Sequence, residues 1–217
     1  GSLGLSENGV GNNVLLADDQ ILKNVQEVQQ RNGIEPVSGL DGMNFSVEME
    51  TGTGKTYVYL RSIYELNKHY GFKKFVIVVP SLAIREGVLK NLEITYEHFQ
   101  TLYDKVPVDF GVYDSGKVSQ LRGFASSNTV QVLVMNIDAF AKDENIINKP
   151  NDKLTGKRPI EFIQYTRPFV IVDEPQNMET DIRKTAIENL HPSCTLRYSA
   201  THLNLYNLVY SLDPVKA

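Results

Sequence analysis

Residues 49–56 read METGTGKT, placed directly after the apolar stretch Phe45–Met49 and opening a helical pattern that runs to about Tyr70. A triphosphate is held by backbone N–H groups converging on its oxygens, and glycine takes the positive φ angles of such a nest at least cost, which gives Gly52 and Gly54 their place. Thr51, Thr53 and the two glycines then supply the loop. Lys55 adds a cation for the β and γ phosphates, and Thr56, at the first helical turn, offers a hydroxyl to Mg²⁺ beside the positive end of the helix dipole. The usual loop of this kind begins with Gly where this chain has Met49; the GTGKT core is intact.

Outward from this loop, short apolar runs at Phe45–Met49, Phe75–Val79, Val106–Tyr113, Val130–Met135 and Phe169–Val172 read as strands, with a sixth at Thr195–Ser199. Helical spacing joins several of them. Ile21, Leu22, Val25 and Val28 recur on one face up to a stop at Gly33; Tyr59, Leu60, Ile63 and Tyr64 do so after the phosphate loop; Ile84, Val88, Leu92 and Tyr96 do so over Leu82–Phe99. Strands alternating with helices predict an α/β fold with a mainly parallel sheet, helices on both faces, and the phosphate loop adjacent to the Asp173 strand. Runs such as FVIVV and FVIVD are apolar throughout because crossover helices bury both faces of such a sheet. Residues 141–168 break the rhythm and predict a long polar loop.

A phosphate loop needs a second acid for Mg²⁺ and a group to orient the attacking water. VIVDEPQ at 170–176 delivers Asp173 and Glu174 to the C-terminal edge of a strand, where open α/β sheets bind ligands. Asp173 is the candidate metal ligand, Glu174 the candidate for polarising water, and Gln176 lies within reach of the nucleotide. Ser199, Ala200 and Thr201 close another apolar run, and their short side chains can bond to the neighbouring acid strand.

The chain has 217 residues, 41% hydrophobic and 22% charged, which suits an ordinary globular domain and excludes disordered, collagen-like and disulfide-scaffold classes. A net charge of −4 argues against a general basic coat but permits a local nucleic-acid groove. Cys194 is the single cysteine, and no apolar run approaches the roughly 18 residues of a membrane span, so a cytoplasmic protein without a membrane partner is expected. Gly1 and Ser2 read as a tag scar, residues 1–14 as that scar plus a flexible arm, and 15–217 as one nucleotide-binding domain.

The segments NFSVEMETGTGKTYVYLRSIYEL, VVPSLAIREGV, RPFVIVDEPQNM and LRYSATH together resemble the Res subunit of type III restriction-modification enzymes, and specifically the first motor lobe of superfamily-two helicases and translocases. The resemblance implies a RecA-like P-loop NTPase domain using ATP and Mg²⁺. It implies catalytic roles for Lys55, Glu174 and Gln176, metal binding by Thr56 and Asp173, and coupling through Ser199, Ala200 and Thr201. It further implies DNA contacts from Pro80, Ser81, Arg85 and Asn136, with Met135 and Asp138 alongside. Double-stranded DNA and a modification (Mod) methyltransferase subunit are the implied partners, and the implied activity is that of an ATP-dependent site-specific deoxyribonuclease.

The resemblance also implies a second RecA-like lobe with an arginine finger and a nuclease domain. The sixteen residues after SAT hold neither, so an excised fragment, nearly inactive alone, is expected. The residues by themselves leave two alternatives: another P-loop ATPase or small-molecule kinase, for which no Arg-rich lid is evident, and a nucleotide- or DNA-binding module without catalysis.

Overall fold

Strands that are apolar at every position need cover on both faces. The computed structural model, which describes residues 9–50, 54–200 and 205–212, has that arrangement. The elements follow as α1 (Asp18–Arg31), β1 (Asn44–Met49), α2 (Lys55–Tyr70), β2 (Lys74–Val79), α3 (Leu82–Leu102), β3 (Val108–Val112), α4 (Ser119–Ser126), β4 (Val130–Asn136), α5 (Ile160–Thr166), β5 (Phe169–Asp173), α6 (Asp181–Glu188), β6 (Cys194–Ser199) and β7 (Tyr210–Leu212). The strands form one seven-stranded sheet in the order β3-β4-β2-β5-β6-β1-β7, and every pairing is parallel. This is the α/β fold with a parallel sheet that the alternating pattern predicts.

Alternate residues of each central strand enter different cores. Phe75, Ile77 and Val79 of β2 and Phe169 and Ile171 of β5 pack with α1, α2 and α3, through residues such as Val25, Ile63 and Leu92. Val76, Val78, Val170 and Val172 face the other way, against Leu121 and Phe124 of α4, Ile163 of α5 and Ile187 of α6. Helices α2 and α3 have local reasons to begin or end where they do. Gly54 (φ 84°) and Gly71 (φ 71°) bracket α2 in left-handed conformations, and the Gly71 N–H donates to Asn67 O at 2.8 Å. The Ser81 hydroxyl caps α3 by accepting from Ile84 N.

Two expectations are corrected, and the strand order adds a detail the sequence does not give. The phosphate-loop strand β1 and the acid strand β5 are not neighbours: β6 lies between them, paired with β1 through Glu48↔Ser199 and with β5 through Asp173↔Tyr198. Lys55, which follows the phosphate loop at the start of α2, still meets the Asp173 strand as expected, its ammonium 2.7 Å from Asp173 Oδ1. Residues 141–168 are not one polar loop. They contain 3-10 turns at Ile146–Asn148 and Asp152–Leu154 as well as α5, since Ile147, Leu154, Ile160 and Ile163 are buried in the second core.

Residues 9–14, lastly, are fastened to the domain. Val10 N donates to Ala125 O and Asn12 N to Thr166 O, each at 2.8 Å, while the Asn12 amide bonds the backbone of Lys73 and Lys74. At this end of the sheet the fully buried Lys74 ammonium donates to Phe124 O, Ala125 O and Ser127 O, closing the C-terminus of α4. Burial, with the charge of Lys73 beside it, brings the Lys74 pKa down to about 8.

Candidate functional site

All strands of a parallel sheet present their C-terminal ends on one edge, so residues distant in sequence converge there. Lys55 opens α2 directly after the left-handed Gly54, and its ammonium stands 2.7 Å from Asp173 Oδ1 while also pairing with Glu174 Oε1. Glu174 itself is left-handed (φ 57°), which turns the chain sharply out of β5 and re-aims the side chain. Its N–H is tied to Tyr198 O of β6 at 3.1 Å.

The remaining oxygen, Glu174 Oε2, accepts from Gln176 Nε2 (2.5 Å) and from the Ser199 hydroxyl (3.1 Å), and Ser199 also meets Gln176 Oε1 at 2.6 Å. Lys55, Asp173, Glu174, Gln176 and Ser199 are thus one connected group built from α2, β5 and β6. Ala200 follows Ser199 at the same edge. Thr51, Gly52, Thr53 and Thr201 lie outside the described residues. Gly54, Lys55, Thr56 and Glu174 line a cleft of about 360 Å³ together with Met49 and Asn91.

Electrostatics follow the geometry. Burial works against the charge of Lys55 but is outweighed by Asp173 and Glu174, leaving its pKa raised. Burial likewise opposes the charge of Glu174, and the hydrogen bonds from Lys55 and Gln176 overcome it, so its carboxyl sits below the ordinary value of 4.5. Asp173 is 2% exposed. Among the described residues its Oδ1 accepts no hydrogen bond, and the Lys55 ammonium at 2.7 Å meets it as an ion pair. A buried carboxylate oxygen with acceptor capacity to spare fits a hard divalent cation such as Mg²⁺, which takes one or two protein oxygens and keeps several waters.

Sequence reasoning passed over two residues. Tyr59, whose spacing marks it as core, donates from its hydroxyl to Asp173 Oδ2 at 2.8 Å. Its position one helical turn after Lys55 is the only signal in the sequence. Arg183, at the start of α6, donates to Asn177 O (2.6 Å) and pairs with Asp138 (2.9 Å). It so ties the turn after the acid pair to the turn after β4.

The four proposed DNA contacts lie at neighbouring strand ends: Pro80 and Ser81 follow β2, Arg85 is in the first turn of α3, and Asn136 ends β4 in register with Val79 of β2. Pro80, Ser81, Arg85 and Asn136 therefore share a second cluster on the same edge. There the Ser81 hydroxyl caps α3, Asn136 Oδ1 accepts from Asp138 N (3.0 Å), and Arg85 pairs with Glu86 (3.1 Å). Arg85 Nε is buried and, among the described residues, has no hydrogen-bond partner.

Residues 17–204 match the family described as type III restriction enzyme, res subunit. The StyLTI Res subunit of Salmonella typhimurium is 36% identical over 181 residues, covering 74% of this chain and 18% of the relative. The EcoPI Res subunit of Escherichia phage P1 is 33% identical over 227 residues, covering 93% and 23%. The chain thus spans about a fifth of the length of the curated relatives it matches. Among solved structures, the UvsW helicase from Bacteriophage T4 aligns at 15% identity with a TM-score of 0.48, over 92% of this chain and 57% of that one.

Proposed function

The chain belongs to the family of type III restriction enzyme Res subunits, and from that membership we propose that it is the ATP-binding motor lobe of such a subunit. In the whole protein this lobe drives ATP-dependent movement on double-stranded DNA, in support of site-specific cleavage carried out with a Mod methyltransferase partner in the cytoplasm. The observation that carries the reading is the meeting of Lys55, Asp173, Glu174, Gln176 and Ser199 from three separate elements on one sheet edge.

The loop ending in Gly54 and Lys55 binds the phosphates of ATP, so the Lys55 ammonium leaves the two carboxylates for the β and γ oxygens. Asp173 and Thr56 would hold Mg²⁺, which supplies charge neutralisation on the phosphates. Freed of Lys55, Glu174 orients a water for attack on the γ phosphorus, and Gln176 and Ser199 keep its other oxygen in place. The Ser199 bonds give the state of the nucleotide a route to the rest of the motor, as the SAT segment implies. Pro80, Ser81, Arg85 and Asn136 hold backbone phosphates of DNA, a class of contact that positions a protein without reading sequence.

The test is phosphate release by the full-length subunit with and without duplex DNA. Turnover stimulated by DNA and lost in Glu174→Gln is expected. Turnover undiminished by Glu174→Gln contradicts the assignment.

A further inference from the structure

We propose that Tyr59 is a positioning residue of the metal site: its phenol locks the Asp173 carboxylate in the orientation that turns Oδ1 toward Lys55 and the nucleotide cleft. The inference rests on the nucleotide reading above and adds a residue to it. Tyr59 is fully buried, and its ring meets Tyr198 edge-on at 5.5 Å, so the phenol cannot swing away from the acid strand. Its hydroxyl donates to Asp173 Oδ2 (2.8 Å), while Lys55 stands at Oδ1 (2.7 Å).

Lys55 and Tyr59 are one turn apart on α2, on the same helix face. A single helix face therefore fixes both oxygens of one carboxylate. Thr56, the second group assigned to Mg²⁺, precedes Tyr59 by three residues on the same helix, a spacing that brings the two side chains to neighbouring positions.

The two holds on Asp173 differ in what ATP does to them. The Lys55 contact is exchanged for phosphate when nucleotide binds, whereas the Tyr59 bond does not depend on where the ammonium points. Oδ2 is committed to the phenol in either case, and Oδ1 is the oxygen presented. Outer-shell partners of this kind set the orientation of a metal ligand, and removing one costs on the order of ten- to a hundredfold in metal affinity.

The experiment titrates Mg²⁺ into the 217-residue chain at fixed ATP and reads nucleotide affinity by calorimetry, with an EDTA arm for metal-free binding. Tyr59→Phe keeps the ring and its packing and removes only the hydroxyl. It should leave metal-free ATP binding within about twofold of wild type while raising the Mg²⁺ midpoint roughly tenfold. Tyr198→Phe, which removes the hydroxyl of the buried ring packed against Tyr59, should leave the midpoint in place. In an Asp173→Asn background the addition of Tyr59→Phe should shift nothing further, because the phenol acts through that carboxylate.

An unshifted midpoint in Tyr59→Phe, an equal shift in the Asp173→Asn background, or parallel loss of metal-free binding each overturns the inference alone. A wild-type chain whose ATP affinity gains nothing from Mg²⁺ overturns the nucleotide reading and the inference with it.

Discussion

Lys55→Ala should destabilise the ligand-free chain at neutral pH, quite apart from its effect on ATP. The ammonium lies 2.7 Å from Asp173 Oδ1, and the side chains of Lys55, Asp173 and Glu174 are only 18%, 3% and 23% exposed. At an effective dielectric of about 20, one such contact is worth roughly 6 kcal/mol of attraction before desolvation is charged against it. Removing one partner of a fully buried pair costs about 3–5 kcal/mol, because the orphaned charge stays behind. Glu174 and Lys55 keep some water, so about 2–3 kcal/mol is expected here.

The pH dependence has a definite sign. Glu174 titrates below its ordinary value in the folded chain, so its contribution is complete above about pH 4.5 and is lost as the pH falls through the lowered value. The deficit of Lys55→Ala is therefore largest near pH 7.5 and shrinks toward pH 4. Urea unfolding followed by far-ultraviolet circular dichroism measures it: with a slope of about 2–3 kcal/mol/M, the midpoint should drop by roughly 1 M at pH 7.5. An unchanged midpoint at pH 7.5, or a deficit as large at pH 4, refutes the claim that this lysine holds one buried and one half-buried acid.

Lys74→Met should cost about 2–4 kcal/mol in the same unfolding assay, since Phe124, Ala125 and Ser127 lose a shared buried donor; a cost under about 0.5 kcal/mol would show those carbonyls satisfied by water. Gly54→Ala meets no neighbouring atom among the described residues but forces alanine to φ 84°, so a loss of about 1–2 kcal/mol and weaker ATP binding are expected, both read by thermal melting with and without nucleotide. Arg85→Ala should weaken duplex DNA binding more than Lys68→Ala, and affinity should fall steeply with salt in fluorescence anisotropy titrations. Salt-insensitive or sequence-selective binding by this chain would remove the DNA role assigned to the turn after β2.

The sheet was legible because β2 and β5 carry apolar residues on both faces, a pattern that only burial between two helical layers explains. Strand order was not legible: nothing in the residues of β6 announces that it inserts between β1 and β5, since order depends on how crossovers wrap. α5 hides in a stretch rich in lysine, asparagine and proline, where Ile160, Phe162 and Ile163 supply too short an apolar pattern to register as periodic. α4 and α6 are only eight residues each, and β7 three, below the length at which spacing discriminates.

In the site, GTGKT and DEPQ are recognisable because their chemistry is local. Tyr59 and Arg183 act across the fold, so each looks in sequence like an ordinary core aromatic and an ordinary surface cation. Residues 9–14 read as an arm because their anchoring is by backbone and by one asparagine, Asn12, which carries no periodic signal.

The central claim is that the edge formed by α2, β5 and β6 binds a nucleoside triphosphate through Lys55. Calorimetric titration of Mg-ATP into the wild-type chain and into Lys55→Ala, with circular dichroism to establish that both are folded at the temperature used, tests it directly. The account predicts saturable binding by the wild type and at least tenfold weaker binding by the folded variant, corresponding to a loss of about 1.4 kcal/mol or more. Equal affinity of the two proteins for Mg-ATP would contradict it.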